Sequence, residues 1–125
     1  MPPEHWKNEP EEHDFPSALS YLSLVCEEGL AEKTVERLRG ATIATYEAKD
    51  LLRASRLPLL KKSNLHVVSD LAKIREGGKL SPVLLVRGSV LDGVPLTIAD
   101  GYHRICTSYH LNENAKIPCR IVDWL

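Results

Sequence analysis

The chain has no excess of charge of either sign: 16 Lys and Arg stand against 17 Asp and Glu, a formal net charge of −1. A protein that coats nucleic acid carries a basic surplus, so any phosphate recognition here is expected to be local, and a nucleic-acid partner is not expected. Cysteine is scarce. Cys26, Cys106 and Cys119 form an odd set without a CxxC pair, which argues against a disulfide framework and for a reducing compartment. No run approaches the ~20 apolar residues that cross a bilayer. The opening residues, with Pro2, Pro3, Glu4 and Lys7 among them, offer no apolar stretch for a signal peptide. A cytoplasmic location without membrane association is the expectation. No internal repeat is present.

What is there fits a single core. At 125 residues, with 43% apolar and 26% charged residues, the chain is long enough for one domain and too apolar to be disordered throughout. Residues 1–14 are proline-rich, charged and aperiodic and predict an arm, either flexible or laid across the surface, with Trp6 as its anchor. Over residues 15–64 the pattern predicts a helical extension. Leu19, Leu22, Cys26, Leu30, Val35 and Leu38 recur at helical spacing, Gly29 divides the stretch, and Gly40 ends it. A short helix is predicted to follow Thr45 as N-cap, through Ser55. Residues 57–64 read as a linker.

From residue 65 the period changes. A helix is predicted from Val67 to Arg75, a strand over Pro82–Arg87, a turn at Asp92-Gly93, and an antiparallel return over Val94–Ala99. A helix from Tyr102 to Leu111 and a strand from Ile117 to Val122 complete the chain. The fold class is α+β, a mixed sheet with packed helices.

The chemistry concentrates at Asp100-Gly101-Tyr102-His103-Arg104, where an apolar strand turns sharply into a helix. Unpaired N–H groups at a helix start favour anions, and Arg104 adds a forked, permanently charged donor set suited to phosphate. The plain alternative is a helix start whose Arg104 pairs with a nearby carboxylate, with Asp100 as the cap. His103, Cys106 and His110 share a helical stripe, but three ligands on one helix suit a tetrahedral metal poorly, and no metal site is expected.

Four segments in order carry a resemblance: Ser69–Gly77, Ser81–Val86, Asp100–Arg104 and Ile117–Val122. Together they resemble the ParB/sulfiredoxin-like family, whose members carry Gly-Cys-His-Arg or Gly-Glu-Arg-Arg where this chain has Gly101-Tyr102-His103-Arg104. The resemblance implies a compact ParB/sulfiredoxin-like domain over residues 65–125, preceded by the helical extension. It implies a site for a nucleotide or phosphorylated small molecule, with Arg104 on the phosphates and His103 supporting it. Gly101, Tyr102 and His103 would supply amides, and Ser69 and Lys73 the opposing wall. A nucleoside triphosphate, ATP or CTP, with magnesium is the implied cofactor.

Asp100 and His103 are the candidate catalytic pair, for phosphoryl transfer or nucleotide hydrolysis. Sulfiredoxin chemistry is not expected, because Tyr102 stands where the family's nucleophilic thiol would be, and a phenol cannot replace a thiolate. Centromere binding is not expected either, since no helix-turn-helix follows residue 125. The rival reading is a non-catalytic regulatory module that docks a partner protein through its helical N-terminal half.

Overall fold

The computed structural model describes residues 5–124. Its element order is α1 (Asp14–Val25), α2 (Glu28–Gly40), β1 (Ile43–Glu47), α3 (Ala48–Ser55), α4 (Leu65–Arg75), β2 (Val83–Val86), β3 (Thr97–Asp100), α5 (Tyr102–Leu111) and β4 (Lys116–Val122). The fold is mixed α+β. One four-stranded sheet runs β1-β4-β2-β3, with β2 and β4 parallel and both outer pairs antiparallel.

Helices cover both faces of this sheet, and the strand composition follows from that. Successive side chains on a strand point to opposite faces, so a strand buried on both sides must be apolar throughout. β2 is Val83-Leu84-Leu85-Val86, and all four are fully buried. Val83 and Leu85 pack with Ile98, Ile105 and Ile117 beneath α3, α4 and α5. Leu84 and Val86 pack with Ala99 against Leu22 of α1 and Leu38 of α2. Each such side chain contributes about 1.5–3 kcal/mol by burial, so β2 is the keel of the domain.

The expected helices over 15–40 form as α1 and α2, divided just ahead of Gly29. Asn64 caps α4, its Oδ1 accepting from the backbone N–H of His66 at 2.9 Å and of Val67 at 3.3 Å. Arg120 of β4 closes the end of α2, its Nη1 donating to the carbonyls of Leu38 (3.2 Å) and Arg39 (2.6 Å).

Two expectations are corrected. The stretch 15–64 is not wholly helical. Ile43–Glu47 forms an edge strand paired with Lys116–Arg120, and the helix expected from Thr45 starts at Ala48. The start of α3 is satisfied by tertiary contacts instead of a Thr side chain, with Ala48 N–H and Lys49 N–H donating to the carbonyls of Ala115 and Glu113 at 3.0 Å each. The strand joins the sheet's outer edge, so the segment is woven into the fold it was expected to precede.

Nor do residues 5–13 behave as a free arm. Trp6 is buried in the α3–α5 core, and its neighbours bridge to the backbone of Leu80, with Lys7 N–H donating to Leu80 O at 2.7 Å and Leu80 N–H to His5 O at 2.8 Å. The first four residues of the predicted arm lie outside the described residues.

Candidate functional site

The strand-to-helix corner forms where the sequence places it. β3 ends at Asp100, Gly101 caps α5, and the first intrahelical bond runs from Ile105 N–H to Gly101 O at 3.1 Å. The N–H groups of Tyr102, His103 and Arg104 therefore lie ahead of the helical ladder. Gly101 adopts φ 114°, a left-handed conformation. A Cβ there would also sit inside the van der Waals shell of Val83 Cγ1, so the helix start approaches β2 as closely as a bare backbone permits.

A register irregularity re-aims the acidic residue. Leu85 pairs with Ile98 but Leu84 pairs with Asp100, so β3 bulges at Ala99. Ala99 packs on the α1–α2 face, and Asp100 turns toward the start of α1, where the carboxyl of Asp14 faces it. Asp14 is buried, its Oδ2 accepting from Glu11 N–H at 3.0 Å.

The corner opens into a polar cleft of ≈ 240 Å³ between the start of α1, one stripe of α4 and the start of α5. His66, Asp70 and Lys73 of α4 lie at i, i+4 and i+7 and so share a face. Asp100, Gly101, His103 and Arg104 form the opposite wall, and Glu11, His13 and Asp14 close one end. The imidazoles of His66 and His103 lie with centroids 4.3 Å apart.

Arg104 pairs within the protein. Its Nη2 donates to Asp100 Oδ2 at 3.0 Å and to the Pro82 carbonyl at 3.2 Å, in an ion pair about 85% shielded from solvent. Its Nε is buried without a partner, and its Nη1 makes no hydrogen bond among the described residues. Asp100 thus neutralises Arg104 rather than capping α5, where no side-chain cap forms.

Burial sets the titration of the cleft. Desolvation pushes the Asp70 carboxyl up, opposed by Arg104, His103 and Lys73. Asp100 is also pushed up by burial, opposed by Arg104 and reinforced by Asp14. His103 is held below the usual imidazole value by burial and by His66, with Asp70 pulling the other way. Acids raised and an imidazole lowered draw together toward a shared working range, a pattern common at functional sites.

Of the residues expected at the site, Asp100, Gly101, His103, Arg104 and Lys73 line the cleft. Two do not. Ser69 is exposed on α4 and is not part of the cleft wall. Tyr102 is not part of the cleft wall: its ring packs on the core and its hydroxyl donates to the Pro58 carbonyl. The stripe of His103, Cys106 and His110 also divides. His110 Nε2 lies 2.6 Å from the Leu60 carbonyl and Cys106 is buried, while His103 faces the cleft. Among the described residues no group of three or more His, Cys, Asp or Glu side chains is arranged to hold a metal ion. Burial pushes the Cys106 thiol up and that of Cys119 to about 12, so neither is a thiolate near neutrality.

Sequence reasoning missed Glu11, His13, Asp14, His66 and Asp70. The spacing of His66, Asp70 and Lys73 on a predicted helix was a usable signal; nothing in residues 11–14 announced their place. No helix among the described residues is long and apolar enough to cross a membrane. Comparisons with protein-family models, curated proteins and solved structures find no match to this chain.

Proposed function

We propose that the cleft at the start of α5 binds the phosphate groups of a nucleotide or phosphorylated small molecule, in a domain of ParB/sulfiredoxin-like type. The observation that carries this reading is the Gly101 corner, which joins free helix-start amides to the unpaired Nη1 of Arg104 and to Lys73 in one hollow. The cleft, at ≈ 240 Å³, falls below the ~300–1,000 Å³ of sites that enclose a whole small molecule. It suits the phosphate-bearing end of the ligand, with a base outside, against the His66–His103 pair.

The carboxylates shape which anion fits. Asp14, Asp70, Asp100 and Glu11 outnumber Arg104 and Lys73, so a bare phosphate meets repulsion that a magnesium-bound phosphate does not. Asp70 and Asp100 are hard oxygen donors of the kind that hold magnesium jointly with substrate phosphates. Bound there, the ion would neutralise phosphate charge. In a catalytic form of this reading, phosphoryl transfer or nucleotide hydrolysis, Asp100 and His103 are the groups that move a proton. Burial and His66 hold His103 below the usual imidazole value, which favours the neutral, proton-accepting form.

The rival, a non-catalytic module docking a partner through the helical N-terminal half, draws on a separate observation. Tyr21, Leu24 and Val25 of α1 are spaced for one helical face and stand 45%, 85% and 50% exposed.

A thermal-shift series with ATP and CTP, with and without magnesium, tests the first reading. At least one nucleotide should raise the midpoint, more so with magnesium. By calorimetry, Lys73→Ala should weaken its affinity about three- to tenfold, and Arg104→Lys, which keeps the charge against Asp100 but loses the fork, about tenfold. No shift with either nucleotide, or affinities unmoved by both variants, would discard the phosphate site and leave the docking module ahead.

A further inference from the structure

A second hollow lies at the opposite end of the β2–β3 pair. Its volume is ≈ 440 Å³, nearly twice that of the cleft and within the range of small-molecule sites. Its floor is core: Leu51 of α3 and Leu85 of β2, both buried, with Ile121 of β4 and Leu96 beside them. The loop joining β2 to β3 forms the other wall through Val90, Val94 and Pro95.

This wall is fixed in place. Ser89 and Val94 pair across the loop, with Ser89 N–H donating to Val94 O at 2.8 Å and Val94 N–H returning to Ser89 O at 2.9 Å. Leu96 N–H donates to the Ala54 carbonyl of α3 at 3.0 Å. Gly88 lies so close to Val94 and Pro95 that a Cβ would collide with their backbone. The hollow is therefore preformed rather than opened by a ligand.

Its rim is cationic. Arg53, Arg56 and Arg87 stand around the apolar floor, with Asp50 as the one lining carboxylate. Asp50 pairs with Arg53 at 3.4 Å, and Arg87 pairs with Asp123 at 2.8 Å. Arg56 makes no ion pair among the described residues. It ends α3 in a left-handed conformation, φ 59°, which non-glycine side chains adopt uncommonly. An apolar, preformed hollow with an uncommitted guanidinium at its lip calls for a ligand with an apolar body and one anionic head.

We propose that this hollow binds a small amphipathic anion, an acyl- or aryl-carboxylate, with its apolar body on Leu51, Leu85 and Leu96 and its head on Arg56. The site is separate from the cleft and does not depend on the cleft's ligand.

Titrating the 125-residue chain with decanoate, below its self-association concentration, and following backbone amide shifts by NMR tests the proposal. Saturable shifts are expected around Ala54, Val94 and Leu96, with none around His103. Decanol should bind at least fivefold more weakly, and decyltrimethylammonium not at all. Arg56→Asn removes the charge while placing a residue that tolerates the left-handed conformation, so decanoate should weaken about tenfold with no loss of thermal stability. Ala54→Phe, at an exposed lining position, should fill the hollow and abolish binding. Three results would overturn the proposal: no saturable shift at these amides, decanol binding as well as decanoate, or decanoate affinity unchanged in both variants.

Discussion

The two hollows sit at opposite ends of the same pair of strands and share almost nothing chemically. At the C-terminal end of β3 the cleft is walled by carboxylates, imidazoles and two cations. At the C-terminal end of β2 the larger hollow is floored by leucines and rimmed by arginines. What differs is how each end of the sheet is closed. The first is closed by the starts of α1 and α5: the amides of Tyr102, His103 and Arg104 lie ahead of the α5 ladder, and the start of α1 brings Glu11, His13 and Asp14 to the same end. The second is closed by the α3 end and an apolar loop that leaves core side chains uncovered. Two helix starts carrying acidic and polar residues make one end polar, and a helix end beneath an apolar loop leaves the other apolar.

One glycine holds each end, and replacing them separates the two. Gly101→Ala combines a positive φ with a collision against buried Val83, and should cost roughly 3–5 kcal/mol and disrupt the cleft. Gly88→Ala has no positive φ to overcome but drives a Cβ into the backbone of Val94 and Pro95, and should cost roughly 1–3 kcal/mol, disturbing the apolar hollow alone. Urea denaturation with amide-shift mapping checks both. If Gly88→Ala altered the amides around His103, the ends would not be independent.

Arg104→Ala should come next, at roughly 3 kcal/mol near pH 7.5, because it leaves Asp100 shielded beside Asp14 without its cation. The pH dependence has a definite sign. Asp100 is raised above its ordinary value of 3.8 in the folded protein, so the native state holds its proton longer than the unfolded chain does, and this group's contribution to stability falls as pH rises from about 3.8 through its raised value. Without Arg104 that window widens upward. The variant's deficit should therefore shrink between pH 7.5 and pH 5, and denaturation midpoints at the two values measure it; a deficit equal at both would mean that Asp100 is not the responsible group.

The smallest effect is the sharpest probe of the cleft. Asp70 is the only carboxylate among the influences on His103 that supports its protonated form, against burial, His66 and Arg104. Asp70→Asn should therefore lower the His103 titration midpoint further. An NMR titration of the imidazole reads this directly, and an upward shift would contradict the geometry.

Much of the second half was legible because its signals are local. Asp92-Gly93 marked the β2–β3 turn, Gly77-Gly78 the end of α4, and Asp100-Gly101 the start of α5. β1 was not legible. Its five residues are half-exposed at an edge, and what makes them a strand is the row of partners on β4, about 70 residues away. Lys73 and the corner were visible at the site, whereas Ser69 and Tyr102 were misplaced because side-chain direction depends on which neighbour each helix packs against.

By itself, the sequence determined that Pro82–Arg87 holds an apolar strand, that a glycine turns β3 into α5, and that cations follow this turn. Short-range periodicity and the sterics of single residues require no partner to act. Only the tertiary structure decided that Asp14 faces Asp100, that Arg104 spends one nitrogen on that carboxylate, that Trp6 fills the core, and that two hollows of opposite character remain. Those outcomes depend on which distant segments share a buried space, where an uncompensated charge or an unfilled volume is costly.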